Sequence, residues 1–467
     1  MTTPRADAHR YPVRYPGPVG RAGRGIIIGV NVPIAEESAE LRDPPTLRGA
    51  LVGTFRRLIR LYFRDIERFG EGPAQTTRGR LFVSNHTNAL LDPILVMTNA
   101  ACEISPVAKS TLWNIPGLSW ILDRAGAVPI IRKKDNPDKD ASANVAVFEK
   151  IAGHLAAGGN LLIFPEGTSH SEPKLAPLKS GAARMLDAAA ERGGVPPTFQ
   201  AVALEFDAPS DFRSRCLVLW GPVRAFADVP GEGEEKIRAA TAQMEADLKD
   251  LLVEGETHQD RLRIAHVAEL LATDAGDHTL GGWSAVGRQV ELASRTLRTV
   301  DAPLVARVAH HVDAYYGELQ RLGLDDTQIA GGGAPPAHTP MSPLRRMALA
   351  PLAASGFALY AIPYFLPRWI ARKADPDAAS TIKFGAALVV YPLWAAGLIA
   401  GSMVLLPPPL SLAAAAIAVT SPFAALRWLD AIYQKKPTPS SDEVARLARL
   451  RIAARTAIDE ARSKLPS

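Results

Sequence analysis

Short β-rich runs alternate with helical patterns between residues 80 and 225. The runs are rich in apolar and β-branched residues, and the segments between them repeat apolar residues at three- and four-residue steps. This alternation predicts an α/β domain with a central mixed sheet flanked by helices. The predicted strands are residues 81–84, 127–131, 160–164, 201–206 and 216–221, and the clearest predicted helices are residues 144–157 and 180–190.

Helical patterns also precede and follow this domain. Residues 47–69 place apolar residues at helical steps and fill much of the remainder with arginine, which predicts one basic amphipathic helix. Packing on its own domain and lying at a membrane surface both fit such a helix. Residues 226–330 lack strand patterns and are predicted to be helical, for example over 234–252 and 259–271.

Two long uncharged segments predict membrane helices further along the chain. Residues 384–426 carry no charge, and as one helix they would reach roughly twice the ~30 Å hydrocarbon thickness of a bilayer. Prolines 407–409 divide this segment and predict a transmembrane hairpin; the alternative is a buried helical pair in a soluble core. Residues 347–367 contain prolines and have basic residues at both ends, so a re-entrant or interfacial helix is expected there.

The patterns divide the chain into six parts, and the last begins with a capping box at Ser440 and Glu443. Basic residues flank the hairpin on both sides, so both of its ends are expected in the cytosol. The parts are an irregular N-terminal extension (1–46), the α/β domain with its amphipathic helix (47–225), a helical region (226–330), a linker (331–343), the membrane-associated segments (344–434) and an amphipathic tail (435–467).

Composition narrows the class of protein. The chain has 467 residues and a net charge of +5, and its arginines and lysines crowd beside apolar segments. That placement favours anionic lipid head groups over nucleic acid as the partner. Cys102 and Cys216 are too few for a disulfide framework or a CxxC zinc site, so a reducing compartment is expected. The apolar run at residues 25–30 is too short for a signal-peptide core, and no secretion is expected.

His86 and Asp92 stand where the first predicted strand ends and a helical pattern begins. A neutral imidazole there can take a proton from a substrate hydroxyl while the carboxylate fixes its tautomer. Within one continuous helix the two side chains would lie about 120° apart. The pairing therefore requires His86 to precede the helix in a turn, and Asn88 is a candidate both to cap that helix and to bind substrate. The alternative is a purely structural pair.

Two cationic side chains are candidates for binding a phosphate. Arg132 ends the predicted strand at 127–131, where a guanidinium can hold a phosphate through two parallel hydrogen bonds. Two lysines follow it directly, and three adjacent cations also fit a solvated surface. Lys179 is a further candidate for contact with the same phosphate.

Glu166, Gly167 and Thr168 form a loop after the predicted strand at 160–164. Glycine permits close approach of the backbone to a ligand, glutamate can accept a hydrogen bond from a polyol, and threonine adds a small donor. A tight structural turn explains the same residues. The apolar strand that follows, at 201–206, is a candidate lining for an acyl chain, or simply a core strand.

The order of these motifs resembles the glycerophospholipid acyltransferase family. N-H-x-N…D-P is followed by G-x-V-P-I-x-R, by F-P-E-G-T-S and by an apolar strand. The family includes lysophosphatidate, glycerol-3-phosphate and dihydroxyacetone-phosphate acyltransferases. The resemblance implies that His86 is the general base, that Asp92 supports it, and that Arg132, Glu166 and Gly167 position a phosphorylated acceptor. Five residues separate the histidine from the aspartate here, where four are usual, a spacing similar to that of the glycerol-phosphate branch.

The resemblance implies transfer of a fatty acyl group from acyl-CoA or acyl carrier protein. The acceptor would be glycerol 3-phosphate, dihydroxyacetone phosphate or 1-acylglycerol 3-phosphate, and neither a metal nor a cofactor is required. Such an enzyme is expected at the membrane with its active site on the cytoplasmic face. A membrane-tethered lipid-binding protein without catalysis is one alternative. A thioester hydrolase is another, although the chain has no G-x-S-x-G nucleophile elbow.

Overall fold

A seven-stranded sheet organises the first half of the chain in the computed structural model, which describes residues 46–70, 72–73, 78–115, 117–131, 145–209, 211–331, 342–374, 376–433 and 437–465. The strands are β1 (Asp65–Gly70), β2 (Arg80–Ser84), β3 (Ser105–Lys109), β4 (Val128–Ile130), β5 (Asn160–Ile163), β6 (Thr198–Phe206) and β7 (Arg215–Ala225). Their order is β1-β7-β6-β2-β5-β3-β4, and only β6 and β7 run antiparallel to each other. The predicted mixed sheet is confirmed.

Helices cover both faces of the sheet and continue beyond it. They are α1 (Leu47–Tyr62), α2 (Leu91–Asn99), α3 (Leu118–Arg124), α4 (Val145–Ala156), α5 (Gly181–Glu191), α6 (Gly233–Lys249), α7 (His258–Asp274), α8 (Leu280–Val300), α9 (Ala302–Leu322), α10 (Asp326–Ala330), α11 (Pro343–Ala371), α12 (Pro376–Leu405), α13 (Leu410–Tyr433) and α14 (Ser441–Ser463).

The alternation of side chains along β2 sorts these helices into layers. Leu81 and Val83 point into a core formed with α4, α5 and α6, whereas Phe82 points into a core formed with α1 and α2. Further along the sheet, Leu217 of β7 packs in one core with the helical region and with Leu447 of α14. The C-terminal tail therefore belongs to the same body as the sheet. The capping box predicted at Ser440 and Glu443 is present.

The prediction of one helix over residues 47–69 is wrong in its second part. Helix α1 ends at Tyr62, and β1 pairs in parallel with β7 from Asp65 onward. Glu67 of this strand forms an ion pair with the fully buried Arg215. The apolar residues of this stretch fit a helical period, but pairing with a distant strand determines the structure instead. Strand β3 was not predicted either, because its five residues are bounded by short connections and carry little alternation.

Three helices among the described residues are long and apolar enough to cross a membrane: Pro343–Ala371, Ala379–Leu405 and Leu410–Ala431. None of the residues in the most apolar part of α12 is buried, so the structure does not place this part of α12 inside a soluble core. Many of the exposed large apolar side chains of the chain lie on α11, α12 and α13, as expected for helices that face lipid. Helix α11 is continuous despite three internal prolines. These helices indicate membrane association.

Candidate active site

Parallel pairing brings two loops to one edge of the sheet. Strand β2 pairs in parallel with β5, with Val83 opposite Ile163. The loop with His86 follows β2 and the loop with Glu166 follows β5, so both leave the sheet at its carboxyl edge. Open α/β sheets place their ligand sites at this edge.

His86 and Asp92 meet at this edge. His86 lies in the turn before α2, and its Nδ1 is 2.9 Å from Oδ2 of Asp92, which is fully buried in the first turn of that helix. The backbone N–H groups of Thr87 and Asn88 each donate to the same Oδ2 at 2.7 Å. In one continuous helix these two side chains would point in different directions. They can meet here because His86 precedes α2, as the spacing required.

The pairing determines which nitrogen of His86 is available. An ionised carboxylate only accepts hydrogen bonds, so Nδ1 carries the proton and Nε2 has the free lone pair of a base. The His86 side chain is 19% exposed, which leaves the ring accessible from the loop edge. One face of the imidazole stacks on Phe164, with ring centroids 4.0 Å apart and planes 18° from parallel. The ring is therefore held both by its edge and by its face.

Glu166 holds the backbone of His86. It is 4% exposed, and its Oε1 accepts a hydrogen bond of 2.8 Å from the His86 N–H. Its Oε2 accepts from the Ala176 N–H at 2.9 Å and contacts the ring of His170. The His170 N–H in turn donates to the His86 carbonyl at 3.0 Å. Both oxygens of Glu166 are thus engaged within the protein, and its predicted contact with a substrate stays a prediction.

The loop after Glu166 has a backbone conformation that favours glycine. Gly167 has a φ of +77°, and a Cβ there would lie 2.3 Å from Nζ of Lys179. Its N–H donates to the Phe164 carbonyl at 3.0 Å, so this amide is already engaged. The next backbone amide along the loop is that of Thr168. The amine of Lys179 lies close to the Gly167 backbone, and its predicted contact with a phosphate stays a prediction.

Two further predicted residues have different outcomes. Arg132 lies outside the described residues, and its role in phosphate binding stays a prediction. Asn88 is 1% exposed and accepts a hydrogen bond of 2.7 Å from Oγ of Ser380. The residue before α2 is Leu90, and no side chain caps the helix, so the predicted capping by Asn88 is wrong. Its predicted contact with substrate is not tested by this arrangement.

The structure adds residues that sequence reasoning missed. Phe164 is the first residue of the F-P-E-G-T-S motif and His170 directly follows it, and an aromatic and a second histidine at a predicted site were observable signals. Ser380 and Thr381 had no such signal, because they lie about 290 positions along the chain from the loop they contact. They start a helix that sequence analysis assigned to the membrane alone.

Replacing Glu166 with glutamine is expected to lower the free energy of unfolding by about 1–3 kcal/mol. Glutamine offers one acceptor oxygen where Glu166 uses two, so at least one buried donor loses its partner. Chemical denaturation of the protein in detergent measures the change. The matched control is Glu172→Gln, an exposed carboxylate in the same loop, for which a change within about 0.5 kcal/mol is expected. Equal stabilities of the two variants would contradict the bracing role of Glu166.

Part of this chain is similar to known proteins. Residues 65–202 match the family model described as Acyltransferase. Over 121 residues the chain is 27% identical to 1-acyl-sn-glycerol-3-phosphate acyltransferase BAT2, chloroplastic, of Brassica napus. The match covers 26% of this chain and 33% of the relative, so this chain aligns with about a third of the relative's length.

A solved structure is also similar. This chain is similar to the crystal structure of the 1-acyl-sn-glycerophosphate (LPA) acyltransferase, PlsC, from Thermotoga maritima. The match covers 43% of this chain and 78% of the chain in that structure. The sequence identity is 15% and the TM-score is 0.32. The segment that matches the family model contains His86, Asp92 and Glu166, together with the loop that follows β5.

Proposed function

We propose that this chain, whose α/β domain belongs to the glycerophospholipid acyltransferase family, transfers a fatty acyl group from an acyl thioester to a hydroxyl of a phosphorylated glycerol. The acceptor would be glycerol 3-phosphate, dihydroxyacetone phosphate or 1-acylglycerol 3-phosphate, and the donor acyl-CoA or acyl carrier protein. The observation that carries the proposal is the 2.9 Å contact between Nδ1 of His86 and Oδ2 of Asp92.

The proposed reaction needs one base and no covalent intermediate with the protein. Nε2 of His86 takes the proton of the acceptor hydroxyl as its oxygen attacks the thioester carbonyl carbon. The carbonyl oxygen becomes an oxyanion that the Thr168 amide stabilises. Collapse of the tetrahedral intermediate breaks the C–S bond, and the leaving thiolate receives the proton from the imidazolium. Asp92 stabilises that imidazolium while it is charged.

Charge near the site supports a phosphorylated acceptor. Lys179 brings its amine to the Gly167 loop, and Arg132 lies two positions after the end of β4 in the sequence. An ammonium and a guanidinium are the side chains that proteins commonly use to bind phosphate. Apolar helices beside the domain suit an acceptor or product that resides in a bilayer.

An acceptor panel tests the proposal. The protein in lipid nanodiscs is given acyl-CoA or acylated carrier protein with each of the three acceptors, and acylated products are measured by mass spectrometry. Acylation of at least one acceptor that depends on His86 is the expected result. Release of free fatty acid without any acceptor would instead support a hydrolase. Equal inactivity of the wild type and of His86→Ala on all acceptors would support a lipid-binding protein.

The flanks of the apolar helices support an even number of membrane crossings. Helix α10 precedes these helices and α14 follows them, yet Gln328 donates to the Pro437 carbonyl at 3.0 Å and Arg451 donates to Asp326 at 2.7 Å. A chain that leaves one body and returns to it on the same side must cross a bilayer an even number of times. Of the three candidate helices, at most two therefore cross completely.

Contacts favour α12 and α13 as the crossing pair. Thr381 at the start of α12 and Asp430 at the end of α13 both bind the α/β domain, Asp430 through Arg213 at 2.9 Å. Helix α11 has basic residues at both ends, which favours keeping both ends on the cytosolic side. We therefore place the active site on the cytoplasmic face, with α12 and α13 as a hairpin and α11 embedded without crossing fully.

Impermeant maleimide labelling is expected to show that the start of α11 and the start of α13 lie on opposite faces of the membrane. With Cys102 replaced by serine and Cys216 by alanine, a cysteine at Leu410 should react only from the outer face, and one at Leu344 only from the cytosolic face. Both positions are exposed on the protein, at 57% and 77%. Right-side-out and inside-out vesicles provide the two faces. Reaction of both positions from the same face would contradict the arrangement.

A further inference from the structure

The start of the membrane helix α12 reaches into the turn that carries the catalytic pair. Oγ of Ser380 donates to Oδ1 of Asn88 at 2.7 Å. The Leu90 N–H donates to Oγ1 of Thr381 at 2.9 Å, and that hydroxyl donates to the Asn88 carbonyl at 3.2 Å. Thr381 therefore bonds to the backbone on both sides of Ala89.

The contact is also apolar and buried. Ser380 is fully buried, and Phe384, one turn further along α12, is 4% exposed in the same core as Leu91 and Leu95 of α2. The ring of Phe384 lies edge-on to Tyr62, with centroids 5.7 Å apart. Residues 380–384 of α12 thus contribute to the core on which the helix with Asp92 rests.

The turn that α12 contacts is strained. Ala89 has a φ of +41°, in the left-handed region, where a non-glycine residue costs on the order of 1–2 kcal/mol. Strain of this kind persists where the surrounding structure holds it. The turn lies within the five residues between His86 and Asp92, one more than is usual in the family that the chain resembles. The additional residue has to be accommodated while both side chains stay in register.

We propose that Ser380 and Thr381 are positioning residues for the catalytic pair. Their hydroxyl groups hold residues 88–90 in the strained conformation, and this keeps the Thr87 and Asn88 amides on Asp92 and Asp92 on His86. A membrane helix thereby completes a catalytic turn that is one residue longer than usual. The inference rests on the proposed acyl transfer for its kinetic test but not for its structural test.

Thr381→Val removes the hydroxyl with little change of shape and tests the inference. The expected kcat for acyl transfer is about tenfold lower, equivalent to ~1.4 kcal/mol, with KM changed less than about twofold. Thr381→Ser retains the hydroxyl and should restore kcat to near the wild-type value. The matched control is Thr420→Val in α13, whose hydroxyl donates to the Ala416 carbonyl of its own helix, and its kcat should equal that of the wild type.

A second-site variant distinguishes relief of strain from general damage. Glycine adopts a positive φ without the cost that alanine has. Ala89→Gly is therefore expected to recover severalfold of the kcat lost in Thr381→Val, while Ala50→Gly in α1 should recover none. The positioning role would be overturned if Ala89→Gly did not recover the activity of Thr381→Val and if Thr381→Ser by itself were also inactive.

Hydrogen exchange provides a readout that needs no activity. Loss of the Thr381 hydroxyl leaves the Leu90 amide without its acceptor, so the peptide containing residues 86–91 should exchange about tenfold faster in Thr381→Val than in Thr420→Val. Unchanged exchange and unchanged kcat in Thr381→Val would overturn the inference while leaving the proposed function intact. Faster exchange in a protein that acylates no acceptor would support the inference and reject the function.

Discussion

Replacing His86 with alanine is expected to lower kcat/KM for acyl transfer by about 10²–10⁴-fold, the contribution of a positioned general base. Nε2 is the ring nitrogen left for the substrate, since Nδ1 is bonded to Asp92 at 2.9 Å. Without the imidazole, the acceptor hydroxyl must lose its proton to water. Because the base acts in the chemical step, the loss should appear mainly in kcat and only slightly in KM.

A matched histidine variant controls for general effects of the substitution. His310 is exposed on α9, away from the catalytic turn, and His310→Ala should retain activity within about twofold. The unfolding midpoint of each variant shows whether the fold is intact. If His86→Ala kept a tenth or more of the wild-type kcat/KM, a role for this imidazole as the base would be rejected.

The turn that carries His86 and Asp92 could largely be predicted from the local sequence. An apolar run that ends in Asn85 and His86 and a helical pattern that begins near Asp92 were enough to predict a strand, a turn and a helix at this place. The requirement that His86 precede the helix followed from side-chain directions alone. Geometry of this kind is predictable because all the residues involved lie within a few positions of one another.

The residues that brace this turn could not be predicted in the same way. Glu166 belongs to a motif that indicated a ligand, but its oxygens accept from backbone N–H groups, which every sequence contains. Strand β1 exists because it pairs with β7 and because Glu67 meets Arg215, and neither partner is near it in the chain. Thr381 acts on a loop about 290 positions away. Long-range pairing is a property of the fold and leaves no local period.

These distant contacts also explain why a membrane segment and a soluble site form one unit. Phe384 of α12 packs with the helix that carries Asp92, and Asp430 of α13 binds Arg213. Arg213 also donates to carbonyls at the end of α1, including that of Leu61 at 3.1 Å. The hairpin is therefore fixed to the α/β domain at both of its ends.

Replacing Asp92 with asparagine is expected to lower kcat by about 10²–10⁴-fold, at most the loss caused by removing His86, because Asp92 acts through that imidazole. Oδ2 of Asp92 accepts from Nδ1 of His86 and from the Thr87 and Asn88 amides. Asparagine can place its oxygen at the Oδ2 position and keep these three contacts, but it is neutral. It therefore lacks the negative charge that stabilises the imidazolium formed when Nε2 takes the proton of the acceptor hydroxyl.

In Asp92→Asn, the loss of kcat, expressed as a free energy of activation, should exceed the loss of free energy of unfolding. Asparagine places an NH₂ group at the buried Oδ1 position, which has no hydrogen-bond partner among the described residues, so we expect the free energy of unfolding to fall by about 1–3 kcal/mol. The matched control is Asp459→Asn, an exposed carboxylate on α14, which should change neither quantity measurably. Single-turnover rates of acyl transfer and denaturation midpoints measure the two effects. A kcat within tenfold of the wild type in Asp92→Asn would show that catalysis does not depend on the charge of this carboxylate, and the supporting role of Asp92 would be rejected.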